Sequence, residues 1–389
     1  MVYYKGNGGD EMRRIFAAML VASLILSGCM AKPTFPVPTS TEAPIVTTQA
    51  TVPTEAAPVA AVKQAPMYAV NLPIITENET GSDGAVIFTH TYQNLSLTLP
   101  EPEIADKVIL DFLNRSDTTQ AAKDIKDAAI TDHQSNEIPP YHCSLLYTPM
   151  RLDGSILSLL GTCSSFTGSI HPETVNRSVT YDLLTGSSLR CSAIFLETVT
   201  PEVLLPLILD ALKEQSFMLY EGYEAMVAEK FNHGIDGNND WYFSDEGLCF
   251  FFSPYEIGPY AIGTVIAQIP YGQLTDVLRD IYFPAERDAT MGQIQVLPYE
   301  EANLDAYTQF AEVTIQSDTE KYLLITDSSI QDLRVLQNVS INPALSHAAA
   351  YTVFAAYGLT PGDAIVLETA QPVDLRYESG NSEITRIAP

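Results

Sequence analysis

Residues 31–66 (AKPTFPVPTSTEAPIVTTQATVPTEAAPVAAVKQAP) lack the means to fold, and they divide the chain in two. They hold seven prolines, seven threonines and one aromatic residue. So little apolar surface cannot offset the conformational entropy lost on ordering. Proline biases such a tract towards polyproline II, with a reach on the order of 100 Å at ~3.1 Å per residue. The stretch 29–66 therefore reads as a tether between a short N-terminal piece and a folded region that begins near Met67.

The N-terminal piece reads as an export signal. Met12-Arg13-Arg14 is basic, and residues 15–26 (IFAAMLVASLIL) form an apolar run of 12 residues. A helix needs roughly 20 such residues to span a hydrocarbon core, so the run is too short for that role. Leu26-Ser27-Gly28-Cys29 follows directly, with small residues ahead of a cysteine as in a lipobox. The expectation is a lipoprotein signal over 1–28, cleavage before Cys29, and a lipid anchor on the Cys29 thiol. Residues 1–11 read as an upstream start, because Met12 would open a normal signal. The competing reading is a short buried helix with a core cysteine.

Charge narrows the partners. The chain carries 20 basic and 48 acidic residues, a net charge of −28. Without residues 1–28 it has 17 against 46, or −29. Such a surface repels phosphate backbones and attracts cations and basic proteins, which excludes nucleic acid as a partner. An apolar fraction of 46% still allows real cores.

Patterning along 67–285 mixes strands and helices without regular βαβ alternation. Helical spacing runs over 102–113, 118–132, 201–217, 220–231 and 273–282. Strand patterns cover 86–99, a hairpin at 141–149 and 155–164, then 175–183, 241–243, 247–252 and 263–270. This predicts an α+β domain, with a mainly antiparallel sheet and packed helices, in subparts 67–195 and 196–285. Residues 290–389 change to short strands (293–297, 311–316, 322–326, 350–355, 364–368, 373–377) between turn signals such as Pro361-Gly362. They predict a small all-β sandwich-like domain.

Chemistry-bearing residues are sparse. Cys143 and Cys163 are symmetric about Asp153 in the expected hairpin and are candidates for a disulfide. Two half-buried thiols account for them equally well. Cys191 and Cys249 read as core. No GxSxG elbow, SxxK, HExxH or Walker loop is present. Asp236, Asn238 and Asp240 imitate the start of an EF-hand loop, but Trp241 and Gly247 stand where glycine and a bidentate glutamate are required. No metal or cofactor is expected. His171 and Glu173 in GSIHPET are either a loop-holding histidine with a neighbour or a fragment of a catalytic site; the first fits better, so the chain reads as a non-enzymatic protein.

Two segments carry a resemblance. Residues 168–195 (GSIHPETVNRSVTYDLLTGSSLRCSAIF) contain Gly168, His171, Pro172, Tyr181, Asp182, Thr185 and Gly186. Residues 241–274 (WYFSDEGLCFFFSPYEIGPYAIGTVIAQIPYGQL) contain Gly247, Leu248, Phe250, Phe252, Tyr255, Glu256, Ile257, Pro259, Tyr260, Ala261, Gly263, Ile269, Pro270 and Tyr271. In type and order these resemble the RsiV-like extracellular domain, shared by lysozyme-sensing anti-sigma factors and the N-terminal region of PdaC-type peptidoglycan deacetylases. The match covers about residues 85–285.

The resemblance implies an α+β domain whose loops contact a protein or glycan, with lysozyme as the ligand in the RsiV branch. Two departures matter. A cleavable lipoprotein signal stands where an anti-sigma factor has a transmembrane helix and cytosolic segment. No TFDDGP-like deacetylase motif is present. The expectation is therefore a ligand-binding domain on a lipid tether, at the outer face of a bacterial cytoplasmic membrane. Its candidate binding residues are Gly168, His171, Pro172, Tyr255, Pro259 and Tyr260. The partner is lysozyme-type muramidase or another basic protein, with cell-wall glycan the alternative and a cell-wall hydrolase a third reading. Tyr255, Pro259 and Tyr260 either present an aromatic edge or form a rigid turn with the tyrosines packed inward.

Overall fold

A computed structural model describes residues 67–133, 140–237 and 240–284, together with most of the strand-forming residues from 294 onward. The expected signal over 1–28, Cys29, the expected tether and Asn238 lie outside the described residues. Among the described residues no helix is long and apolar enough to cross a membrane.

The fold is α+β with mostly antiparallel sheets. Its largest sheet before residue 285 runs β2 (Ile74–Thr80), β3 (Val86–Gln93), β5 (Tyr141–Leu152), β6 (Ile156–Phe166), β7 (Glu173–Asp182) and β8 (Ser187–Ser188), in that order. All neighbours are antiparallel except β3 and β5, which pair in parallel at Phe88–Tyr141. The parallel crossover carries α1 (Pro102–Ser116) and α2 (Thr119–His133). In α1, proline at the first position and Glu103 in the first turn suit a helix N-terminus. The stripe Ala105, Val108 and Phe112 faces the sheet, where Phe112 meets Tyr147 edge-on at 5.0 Å. In α2 only small Ala122 and Ala129 are buried, so the helix sits close on Phe88, Tyr141 and Cys143.

The opposite face of this sheet receives a second one: β9 (Trp241–Phe243), β10 (Gly247–Phe252) and β11 (Val265–Pro270), in the order β11-β10-β9. Tyr242, Cys249 and Phe251 pack with Met150 and Leu160 of the large sheet. Trp241, Phe243, Leu248, Phe250 and Phe252 point the other way, under α3 (Pro201–Leu212) and α4 (Tyr223–Glu229). A strand covered on both faces needs no polar alternation, and every residue of β10 (GLCFFF) is buried. The result is a helix–sheet–sheet–helix stack.

The remaining strands form two further sheets. One runs β19 (Glu383–Ile387), β18 (Val373–Tyr377), β15 (Ile330–Asn342), β16 (His347–Leu359), β1 (Tyr68–Asn71) and β4 (Ser96–Thr98), antiparallel throughout. The other runs β12 (Ile294–Pro298), β14 (Glu320–Thr326), β17 (Asp363–Thr369) and β13 (Gln309–Thr314), with β13 and β17 parallel. Leu333, Val335, Val353 and Ala356 share a core with Leu324, Ile365 and Leu367 of the other sheet, which makes a sandwich. This sandwich takes strands from both sides of the expected boundary at 285–290. β1 pairs Tyr68 with Tyr357 on one side and Val70 with Leu97 on the other. With β16 on one side and β4 on the other, the chain's first described strand is interior to its last sheet.

The structure bears on two further expectations. The hairpin β5–β6 pairs Cys143 with Ser165 and Leu145 with Cys163. The two cysteines are thus diagonal neighbours, and both thiols are free. The cause is the turn: Asp153 Oδ1 accepts from Ser155 N, Ser155 Oγ and Ile156 N, each at 2.8 Å, and a bulge falls between Pro149 and Arg151. The pairing axis therefore lies beyond Asp153. Residues 273–282 do not form one continuous helix; only a 3-10 turn at Asp280–Tyr282 closes the segment. Leu278 makes a bridge to Phe195, and Arg279 N donates to the Ile194 carbonyl at 3.0 Å, which holds the segment open. Its apolar residues Leu274, Val277 and Leu278 still reach the core under α3.

Candidate functional site

Two loops meet at the ends of β7 and β10. The first, residues 167–172, joins β6 to β7. Gly168 adopts φ +84, and a Cβ there would stand 3.4 Å from the Tyr141 ring, so glycine suits both the backbone and the close approach. Ile170 behind it is 100% exposed. His171 Nδ1 lies 3.1 Å from the Pro172 carbonyl and its Nε2 lies 3.0 Å from the Tyr255 hydroxyl. A carbonyl only accepts, so Nδ1 donates to Pro172; in the neutral ring Nε2 then accepts from the Tyr255 hydroxyl. The Pro172 carbonyl takes a second donor, the Tyr260 hydroxyl, at 3.1 Å.

The second loop, residues 253–264, joins β10 to β11. Its geometry is built from inside. Ser253 N donates to Glu256 Oε2 at 2.6 Å, and Tyr255 N donates to the Gly258 carbonyl at 3.1 Å. Lys230 Nζ reaches Glu256 Oε2 at 2.9 Å and Asp240 Oδ2 at 2.6 Å, with its ammonium 4.9 Å from the Phe252 ring centre. Asn176 N donates to Ser253 Oγ at 3.0 Å, which stitches the loop to β7. Tyr255 is held at φ 72, a left-handed conformation that costs a non-glycine residue about 1–2 kcal/mol. The surrounding bonds hold it there.

The rings form one face. His171 stacks on Tyr260 at 4.1 Å and 19°, Tyr255 lies 5.5 Å from Tyr260, and His171 lies 6.0 Å from Tyr255. Tyr255 is 56% exposed, Pro259 is exposed, and Tyr260 and His171 are half-buried. The polar tips of the cluster bond to one another, so what it offers a ligand is ring surface in fixed positions. Of the six predicted residues, the structure joins His171, Pro172, Tyr255 and Tyr260 by direct contact. Pro259 flanks them, and Gly168 shapes the adjoining loop.

Other motif residues are structural. Tyr181 is fully buried, Asp182 Oδ1 caps Leu184 N at 2.8 Å, and Gly186 at φ +74 sits against Ile104 and Lys107 of α1. Phe250 and Phe252 are core, and Gly247 lies against the Ile269 backbone, where any side chain would collide. Trp241 is 4% exposed. Asp236 accepts from Ser192 N and Oγ, each at 2.8 Å, while Asp240 pairs with Lys230. Among the described residues no group of three potential metal ligands is found.

Sequence reasoning missed the brace Lys230–Asp240–Glu256, whose members lie far apart in sequence. It also missed Arg151, which is fully buried. Arg151 pairs with Asp153 at 2.6 Å and donates to the Tyr271 hydroxyl at 2.8 Å and the Tyr282 carbonyl at 2.7 Å. Arg334 was missed as well; it bonds the Pro149 carbonyl at 2.7 Å and Asp245 at 2.6 Å, tying the sandwich to both inner sheets. No local pattern marks either arginine.

One segment matches a known family. Residues 195–272 match the family described as Protein of unknown function (DUF3298). The DUF3298 segment holds α3, α4, the three-stranded sheet and the loop with Tyr255 and Tyr260, while His171 precedes it. Among solved structures the chain is similar to a DUF3298-family member from Bacteroides fragilis, at 15% identity over 54% of this chain and 93% of that one, TM-score 0.40. It is also similar to a DUF3298-family protein from Pseudomonas aeruginosa, at 14% identity over 56% and 97%, TM-score 0.41. No curated protein matches the chain.

Proposed function

We propose that this protein is a non-enzymatic envelope lipoprotein, anchored through Cys29 outside a bacterial cytoplasmic membrane, that binds a basic extracellular protein. A lysozyme-type muramidase is the specific candidate, and its capture or inhibition is the role. The observation that carries this reading is the preset aromatic face of His171, Tyr255 and Tyr260, braced by Lys230 and Glu256. Rigid tyrosines supply contact area at small entropic cost, and loops already held in place lose little on binding. A net charge of −28 would steer a basic partner. The resemblance of residues 168–195 and 241–274 to the RsiV-like domain points to the same partner.

The test is calorimetry of the chain from residue 29, with Cys29→Ser to prevent lipidation, against a c-type lysozyme at two salt concentrations. Micromolar or tighter binding that weakens with salt and with Tyr260→Ala is expected. The exposed Tyr255 ring also suits stacking on a sugar, which favours cell-wall glycan as the second reading. Absence of lysozyme binding, with retention on purified peptidoglycan in high salt, would put glycan first.

A further inference from the structure

The aromatic face has a neighbour. After α3 the chain turns through a short 3-10 segment, Lys213–Met218, and returns past the second loop. Tyr220 N donates to the Ile257 carbonyl at 2.9 Å, and the Met218 carbonyl stands 3.5 Å from where a Gly258 Cβ would be. Residues 217–220 therefore run beside the loop that carries Tyr255 and Pro259. Here Phe217 is 82% exposed and Met218 is 38% exposed. Single exposed apolar side chains are ordinary; here two adjoin each other and lie beside a loop that already exposes an aromatic ring.

The charge beside it is one-sided. Glu214, Glu221 and Glu224 are all exposed. Of the nearby cations, Lys230 is held between Asp240 and Glu256, and Lys213 is exposed beside Asp210 and Glu214, so acidic groups outnumber it. An apolar centre with an acidic border is complementary to a basic polypeptide that carries apolar side chains. A second copy of this chain brings the same acidic border, and a surface of anionic lipid is repelled as well.

We infer that Phe217 and Met218, with exposed Glu214, Glu221 and Glu224 close by in the chain, are a second contact patch for the basic protein partner, linked to the Tyr255 loop by the backbone contacts at Ile257 and Gly258. This rests on the reading of the aromatic face as a protein-binding site. Phe217 acts as the apolar anchor, and the three glutamates set approach rate and salt dependence. The partner spans both patches, because the backbone of 218–220 is bonded directly to that of the aromatic loop.

The test compares the Cys29→Ser chain with Phe217→Ser/Met218→Ser, with Glu214→Gln/Glu221→Gln/Glu224→Gln, and with Leu110→Ser. Leu110 is 64% exposed on α1 and controls for general stickiness. All these positions are exposed, so the variants should fold, which circular dichroism checks. With c-type lysozyme as probe, the apolar pair should lose at least about tenfold in affinity. The glutamate variant should flatten the salt dependence, and Leu110→Ser should bind normally. If Tyr260→Ala abolishes binding while the apolar pair binds like the parent, the second patch is overturned and the aromatic site stands. If the parent binds no lysozyme, the proposed function fails. A cationic amphipathic Lys/Leu peptide then decides the patch alone: binding that requires Phe217 keeps it, and absence of such binding removes it. Sedimentation of the parent as a dimer that Phe217→Ser dissolves would assign the face to a second copy and overturn the inference.

Discussion

Arg151 and Asp153 form an ion pair at 2.6 Å with side-chain exposures of 0% and 6%. The guanidinium also bonds Tyr271 and Tyr282, lies 5.2 Å from the Phe243 ring, and so fastens the hairpin turn to the segment after β11. Asp153 meanwhile folds the turn itself through its other oxygen. One pair thus sets both the local bend and the contact between two layers.

Removing the cation alone should be costly. Arg151→Met leaves a buried carboxylate without its partner, and the expected loss is about 3–5 kcal/mol. The double variant Arg151→Met/Asp153→Asn should recover part of that loss, because the amide oxygen still accepts the turn hydrogen bonds. Urea unfolding of the three chains measures the difference. A single variant as stable as the parent would mean the pair holds nothing together.

Stability should fall in mild acid. Burial pushes His142 down to about 4, and burial also lowers His90. Unfolding restores both to the ordinary value near 6.5, so the unfolded chain binds more protons between pH 6.5 and 4. Their contribution is intact above 6.5 and is lost as pH drops through that window. The melting temperature measured from pH 7.5 to 4.5 should decline. His142→Asn, whatever its absolute stability, should give a shallower slope; an unchanged slope would assign the decline to other groups.

Tyr255→Gly should separate folding from binding. Glycine relieves the left-handed backbone by about 1 kcal/mol. It also removes an exposed hydrogen bond to His171 of similar size. The melting temperature should therefore change little, whereas affinity for the basic partner should drop. A large fall in melting temperature would show that the ring holds the loops together instead.

Thiol counting checks the hairpin register. In the Cys29→Ser chain, unfolded without reductant, Ellman's reagent should find four thiols: Cys143, Cys163, Cys191 and Cys249. In the folded chain reaction should be slow, since burial pushes Cys143 up to about 12 and Cys249 up to about 11. Two missing thiols on unfolding would show that residues 143 and 163 are bridged and that the pairing differs from the one described.

The aromatic site was partly legible in sequence. GSIHPET stood out by its His/carboxylate pair and both it and SPYEIGPY by the family resemblance, and their proximity across 84 residues follows from β7 and β10 lying in stacked sheets. Whether the tyrosines point outward or inward was open, and the structure divides them: Tyr255 is exposed and Tyr260 is half-buried. Phe217 carried no signal, because it continues the apolar spacing of α3. Only the shift to a 3-10 segment at Lys213 turns it away from the core.

Period and composition determined the local elements. The stripe of α1, the hairpin strands and the apolar run of β10 are set by residues near one another in the chain. Tertiary structure alone decided what those elements join. β1 enters a sheet with strands almost 300 residues away, burying Met67 and Ala69 in the sandwich core and Val70 and Leu72 against α1 and the large sheet. The segment 273–282 gave up its helix for a bridge to Phe195. The aromatic face exists because two sheets stack and bring two loops together. Local periodicity shows which side of an element is apolar, but the surface that will cover it is fixed only by packing between distant parts of the chain.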